Sequence, residues 1–268
     1  MKKKGKLLIY WDYELQTGAD QAISTKGLWD GRKDYDETKK LLLFLKDKKI
    51  KCTFAVIGVC AEKGKLPYHS QNQIKQIAKM GHEVASHSYK HEYIPELNKK
   101  QLRETLRKSK ELLENSCGKK VVSFVPPHNM PAEVYGLSID IKKKKKLSKI
   151  SLKVLYKTLA SLGYKTYRNH KIMPITNLIF KSFKSFDPKL KHQILQLYLN
   201  SADGFGNSSI SVVDHAVKTK GVAVICAHPR ALAFPGDQSW ENFRAFVKYI
   251  KSLEKKQKLE ITTPNTFV

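Results

Sequence analysis

Hydrophobic and polar positions along this chain fall into two alternating periods. Short apolar runs rich in β-branched and aromatic residues recur at KLLIYWD (6–12), KCTFAVIG (51–58), HEVASH (82–87), VVSFVPP (121–127), YKTYR (164–168), VAVICAH (222–228) and KLEITTP (258–264). Each has the length and composition of a strand. Between the early runs the period becomes that of a helix. Leu41, Leu42 and Leu45 make one stripe within 35–48, and Ile74, Ile77 and Ala78 make another within 71–80, just before Gly81. Leu102, Leu106, Leu112 and Leu113 make a third within 99–116, with Gly118 beyond it as a stop. Strands alternating with helices predict a parallel sheet, and the unbroken apolar VAVICA predicts that the sheet is covered on both faces. A barrel and an open doubly wound sheet both satisfy the pattern.

The regularity loosens from about 138 to 203. Leu147, Ile150, Val154, Leu155 and Leu159 have helical spacing, Ile194, Leu195, Leu197 and Tyr198 predict another helix, and SADGFGNSS (201–209) reads as a glycine-rich loop. Lys142 to Lys146 form a continuous basic run in the same stretch. We expect an irregular, lysine-rich insertion before the sixth strand of one catalytic domain spanning 1–268.

Composition adds charge to this picture. The 268 residues carry 50 Lys plus Arg against 24 Asp plus Glu, a formal charge of +26, and 41% are hydrophobic, which supports a large buried core and argues against disorder. Such a field favours phosphate, acidic glycans or anionic lipid headgroups. No zinc-finger, aromatic-platform or glycine-loop signature points to specific nucleic-acid recognition; an anionic substrate and a peripheral contact with an anionic membrane are the expected uses of the charge, and a solvated lysine-rich face with no binding role accounts for it equally well. No run approaches the ~20 apolar residues of a membrane span. The first residues move from lysines straight into a strand-like segment without a secretory apolar region, and Cys52, Cys60, Cys117 and Cys226 show no paired spacing, so a cytoplasmic setting is expected.

Chemistry-bearing residues collect where these strands end, which is where parallel α/β folds build their sites. Asp12 and Glu14 follow the first strand, His87 and His91 the third, Pro126, Pro127 and His128 the fourth, and His228 the sixth. A lone His at a strand end is usually a hydrogen-bonded structural residue; four matched ends argue otherwise. His87 and His91, four apart, can aim two neutral nitrogens at one point. Together with one carboxylate they make a two-His, one-acid set with open positions, the pattern of a catalytic divalent metal, zinc first among them. Asp12 and Glu14, one residue apart, would share a face of a continuing strand. One of them can bind the metal while the other takes a proton, with His228 as the acid. Trp11, Tyr13, Trp29 and Tyr93 serve either as core packing or as platforms for a sugar.

These residues resemble the polysaccharide deacetylases, the NodB-like carbohydrate esterase family 4, and most of all the branch that contains peptidoglycan deacetylases and cyclic-imide hydrolases. IAKMGHEVASHSYKHEY (77–93) is similar to the family's second motif, H-[ST]-x-x-H, and YWDYE (10–14) is similar to the D-x-D form of the first. The resemblance implies that Glu14, His87 and His91 hold the metal, that Asp12 is the catalytic base, and that His228, in GVAVICAHPRA (221–231), is the catalytic acid. Pro127, His128, Trp11 and Arg230 are expected to contact substrate. Two departures stand out. Val125 occupies the place of the family's third-motif arginine, for which Arg168 and Arg230 are candidates, and the Asp-Trp pair that orients the acid has no clear counterpart, Asp203 being a substitute. The implied fold is a distorted (β/α)7 barrel, and the implied activity is hydrolytic removal of an N-acetyl group, or less readily an O-acetyl group, from a sugar in a glycan, a nucleotide sugar or a lipid-linked precursor. A cyclic-imide or ureide amidohydrolase and a catalytically silent polyanion-binding barrel are the alternatives.

Overall fold

The apolar run at the start of the chain becomes a strand with three partners in a curled, mostly parallel sheet in a computed structural model, which describes residues 3–21, 29–129, 148–170, 184–199 and 204–268. Asp203 and the Lys142 to Lys146 run lie outside the described residues. Strand β1 (Gly5–Tyr13) pairs in parallel with β2 (Thr53–Val56) and β8 (Val222–Ala227), and its first residues also pair with β9 (Leu259–Thr262). From β2 the sheet continues through β3 (Glu83–Ser86), β4 (Ser123–Phe124), β5 (Thr166–His170) and β7 (Ile194–Leu199), all parallel, to an antiparallel edge strand β6 (Lys189–Lys191). Strands β7 and β8 come close without pairing, so the barrel is incompletely closed. The distorted (β/α)7 barrel expected from the sequence is the fold observed.

Helices fill the connections as the periodicities predict. Helix α1 (Leu15–Gln21) follows β1, and α2 (Gly31–Asp47) follows it with Leu41, Leu42 and Leu45 buried. Helices α3 (Gln71–Lys79) and α4 (Lys99–Cys117) flank β3. The ends of α4 are built from sequence: Asn98 and Gln101 make a reciprocal capping box, and Gly118 closes the helix at φ +68, a left-handed conformation that costs glycine little. Helix α5 (Leu152–Ser161) precedes β5, α6 (Asn207–Thr219) precedes β8, and α7 (Trp240–Lys255) precedes β9.

One expectation fails here. Ile194, Leu195, Leu197 and Tyr198 form strand β7, not a helix. Their spacing fits either period over so short a run, and the hairpin with β6 together with pairing to β5 decides for the strand.

Strand β1 divides the core. Leu7, Ile9, Trp11 and Tyr13 face the helices, whereas Leu8 and Tyr10 face the barrel interior with Ala55, Ala85, Val125 and Cys226. Alternation then puts Asp12 on the interior face at the end of the strand, where packing gives way to the site.

Candidate metal centre and active site

The cavity at the C-terminal ends of the strands measures about 240 Å3 and is lined by Asp12, Glu14, His87, His91, His128, His228 and Arg230, with Gly18, Gln21 and Asn129. Strand β1 supplies Asp12 from its penultimate position and Glu14 from just beyond its end. Buried Asp34 on α2 fixes that turn: its Oδ2 accepts the Glu14 and Leu15 backbone N–H groups at 2.8 and 3.0 Å, and its Oδ1 accepts the Arg230 N–H at 3.1 Å. One carboxylate thus ties the end of β1 to the segment after β8. Gly18 completes the fit. A Cβ there would lie 2.4 Å from Glu14 Oε2, so α1 approaches the carboxylate as closely as only glycine allows.

His87 and His91 come from the loop after β3. Gly58 and Val59 donate their N–H groups to Ser88 and Tyr89 oxygens, and Thr105 Oγ1 accepts from Tyr89 N, so the loop is held on three sides. Leu15, Ser88, His91, His128 and Asn129 all have positive φ near 50–63° and all lie at this end of the sheet. Left-handed backbone at non-glycine positions is uncommon and tends to gather where a site demands it.

The imidazoles are oriented by their far nitrogens. His87 Nδ1 donates to the Val125 carbonyl at 2.9 Å, and His91 Nδ1 donates to Gln21 Oε1 at 3.1 Å. With both rings neutral, the Nδ1 proton goes to these partners and each ring's Nε2 carries a lone pair. Those two atoms stand 3.6 and 3.4 Å from the same oxygen, Glu14 Oε1, and His91 Nε2 is buried without a hydrogen-bond partner. Three acceptors crowding one point repel unless something positive lies among them, and their donor atoms all fall within 4.8 Å of one another. Two imidazole nitrogens and a carboxylate, each backed by a second partner, suit a divalent cation. These residues therefore fit the metal that the sequence suggests.

Asp12 sits beside this group, 4% exposed. Both of its oxygens accept from Arg168 on β5, at 2.8 and 2.7 Å, and Arg168 also donates to Asn129 Oδ1 at 2.8 Å. Burial alone would raise the Asp12 pKa, but the Arg168 guanidinium holds the carboxyl below its ordinary value. Arg168 thus stands where the missing third-motif arginine is wanted, while Val125 is buried in the barrel interior and offers its carbonyl to His87. Glu14 is held well below its ordinary pKa: Arg230, at 2.9 Å, outweighs the cost of burying its charge.

His228 lies 3.6 Å from Glu14 Oε1 through Nε2. Gln238 accepts both the His228 backbone N–H, at 2.7 Å, and its Nδ1, at 3.3 Å, and so orients the ring. Burial and Arg230 disfavour a charged ring here, yet Glu14 and Asp12 raise the His228 pKa above its ordinary value. His128 packs at a tilt of 56° against His91 with centroids 4.4 Å apart, and burial lowers its pKa.

Two expected substrate contacts are corrected. Trp11 is fully buried on the helix-facing side of β1, packed against Phe205 and Phe243. The alternation that aims Asp12 into the site aims its neighbour away from it. Pro127 is buried beneath the turn and does not line the cavity, whereas His128 does. Tyr13 is likewise core, donating its hydroxyl to Gln73. Arg230 lines the cavity but is engaged with Glu14 and stacked 3.9 Å over Trp29. Asp34, Gly18, Gln21 and Gln238 escaped the sequence reading, because a buried carboxylate in a helix, a glycine and two glutamines carry no local signal of a site.

Comparison with known proteins bears out the resemblance. The polysaccharide deacetylase family model matches residues 30–134, a stretch that includes His87 and His91 but neither β1 nor β8. A peptidoglycan-N-acetylglucosamine deacetylase from Bacillus cereus is 31% identical over 100 residues, and an uncharacterized Bacillus subtilis protein, YlxY, is 33% identical over 89. The aligned stretches are 37% and 33% of this chain and span only 34% and 26% of those relatives. The crystal structure of a candidate polysaccharide deacetylase from Mycobacterium smegmatis superposes with a TM-score of 0.67 at 17% identity, covering 99% of this chain and 90% of that one, a likeness of fold.

Proposed function

We propose that this chain, matched to the polysaccharide deacetylases over 30–134, is a divalent-metal hydrolase that removes an N-acetyl group from a sugar. Glu14, His87 and His91 are the residues that would hold the cation, zinc in first place. The observation that carries this reading is the convergence of His87 Nε2 and His91 Nε2 on Glu14 Oε1, with each ring's Nδ1 engaged by a partner behind it. When bound, such an ion supplies Lewis acidity and a water acidified towards neutral pH.

The protein's own groups account for the proton movements. Asp12, kept ionised by Arg168, is the base that accepts a proton from the attacking water. His228, with its raised pKa and its ring oriented by Gln238, is the acid that protonates the departing amine nitrogen as the carbon–nitrogen bond breaks. The products are acetate and the free amino sugar. His128 and Asn129 line the cavity on the side away from β8 and are placed to contact the substrate.

A cavity of about 240 Å3 is below the ~300–1,000 Å3 of sites that enclose a whole drug-sized ligand, so only the acetamido group and its sugar enter while the rest of a glycan, nucleotide or lipid-linked precursor stays outside. The same small volume admits a cyclic imide or ureide, and a panel scoring acetate release against ring opening separates the two. Against a catalytically silent barrel stand Arg168 and Gln238, which supply tethers for the base and the acid. Replacing His87 or Asp12 by Ala should abolish metal-dependent acetate release from a competent substrate; activity retained in both variants would overturn the proposal.

A further inference from the structure

The parallel strands give the molecule two unlike ends, and we infer that the end opposite the cavity docks on an anionic phospholipid surface. Because β1 to β5 and β7 to β9 all run the same way, the residues that precede them come together at one end. Lys3, Lys51, Lys165, Lys220 and Lys258 lie within two residues of the starts of β1, β2, β5, β8 and β9, Lys120 lies three residues before β4, and all are exposed. Strand β3 lacks such a lysine, and β7 is entered from a hairpin that carries exposed Lys189 and Lys191.

Among the described residues only Lys120 of these rim lysines has a carboxylate partner, Glu114. Glu83 is buried, Glu114 is engaged by Lys110 at 3.0 Å and Lys120 at 3.7 Å, and Glu260 lies 4.0 Å from Lys6. A cleft of about 620 Å3 opens at this end between Lys3, Lys4, Lys6 and Lys220, with Asp187 and Glu260 as its acids among the described residues.

The charges are complementary to a layer of anionic headgroups, and two features favour lipid over nucleic acid as the occupant. The strand-entry cations are all lysine, point charges without the planar fork that nucleic-acid readers draw from arginine. Apolar groups stand among them: Leu190, 71% exposed, lies between Lys189 and Lys191, and Phe267 lines the cleft beside Val268, 47% exposed. An apolar tip flanked by lysines suits the headgroup–acyl boundary. Docked in this way, the protein turns its metal-ligating cavity away from the bilayer.

Vesicle sedimentation tests this without reference to hydrolysis, so failure of the deacetylase reading would leave it intact. Vesicles of phosphatidylcholine with about 30 mol% phosphatidylglycerol should retain the protein, pure phosphatidylcholine should not, and raising salt to about 0.5 M should release it. Changing Lys3, Lys165, Lys220 and Lys258 to Glu should weaken partitioning by about 100-fold or more, at ~1 kcal/mol or about fivefold for each lysine removed from the surface. The milder Gln versions should weaken it less while keeping the same thermal unfolding, which guards against a folding defect. Exposed Lys33, Lys39, Lys153 and Lys157, changed to Glu together, serve as the control. Equal loss in the control, indifference to phosphatidylglycerol, or displacement of the vesicles by a single-stranded RNA at equal charge concentration would each overturn the inference.

Discussion

Arg168 on β5 and Asp12 on β1 form a two-pronged ion pair, 2.8 and 2.7 Å, between residues 156 positions apart in the chain. Both side chains are essentially buried, 1% and 4% exposed, so each charge depends on the other. Replacing Arg168 with Met leaves a buried carboxylate uncompensated, which should cost about 3–5 kcal/mol of stability, measurable as the urea midpoint. It should also lower kcat by about 10²–10⁴-fold through loss of an oriented, ionised base. Arg168→Lys keeps the charge but not the fork and should recover stability more than rate. Full activity in both variants would show that Asp12 does not act as the base.

Gln21 reaches across from α1 to hold His91 Nδ1. It touches none of the three donor atoms aimed at the cation, yet Gln21→Ala should weaken metal affinity about 10–100-fold, the usual cost of losing a partner behind a ligating histidine. Competition against a chelator of known affinity measures this. An unchanged affinity would remove His91 from the ligand set or show that its ring needs no support.

Gly18 permits the close approach of α1 to Glu14. Gly18→Ala should displace the Glu14 carboxylate although every donor remains, at a strain of about 1–3 kcal/mol. Metal content after extensive dialysis should fall in this variant while its helix content by circular dichroism stays the same. Stoichiometric metal in Gly18→Ala would argue that the cation does not use Glu14.

Glu83 and His82 enter β3 side by side and titrate in opposite senses. Burial pushes Glu83 up to about 7 from its ordinary 4.5, so between those values the folded chain holds a proton that the unfolded chain has released, and stability falls as pH rises. Burial, Lys51 and Lys119 push His82 down to about 4 from 6.5, so across that interval the unfolded chain holds the extra proton and stability rises with pH. From pH 4.5 to 6.5 the two largely cancel. In Glu83→Gln the His82 slope should emerge alone, a gain of up to about 3 kcal/mol between pH 4.5 and 6.5 relative to the parent profile, read from urea unfolding. Parallel profiles for parent and variant would refute it.

Much of this architecture is legible in the amino-acid order because a doubly covered parallel sheet writes its strands as continuous apolar runs. The seven strands so read all exist, since nothing else can bury runs such as KLLIYW and VAVICA. What misled was local ambiguity. Ile194 to Tyr198 fits two periods, and only its partners β5 and β6 choose between them. Trp11 was misplaced although the rule needed to place it was available: alternation cannot send both it and Asp12 to one face. The residues that could reach a metal were visible because His and acidic groups after strand ends are chemically conspicuous. Their supports were not, since Asp34, Gln21 and Gln238 act through contacts that only the folded chain creates. Arg168 was reachable in between, by asking which cation could stand in for the one Val125 cannot be.

Strand β1 pairs with β2 on one side and with β8 and β9 on the other, and β8 and β9 follow it far along the chain. During translation the segment bearing Asp12 and Glu14 therefore keeps one edge bare until β8 and β9 emerge. The cavity is lined in full only once His228 and Arg230 have arrived, so a nascent chain halted before β8 would hold Glu14, His87 and His91 without the wall that stands beside them.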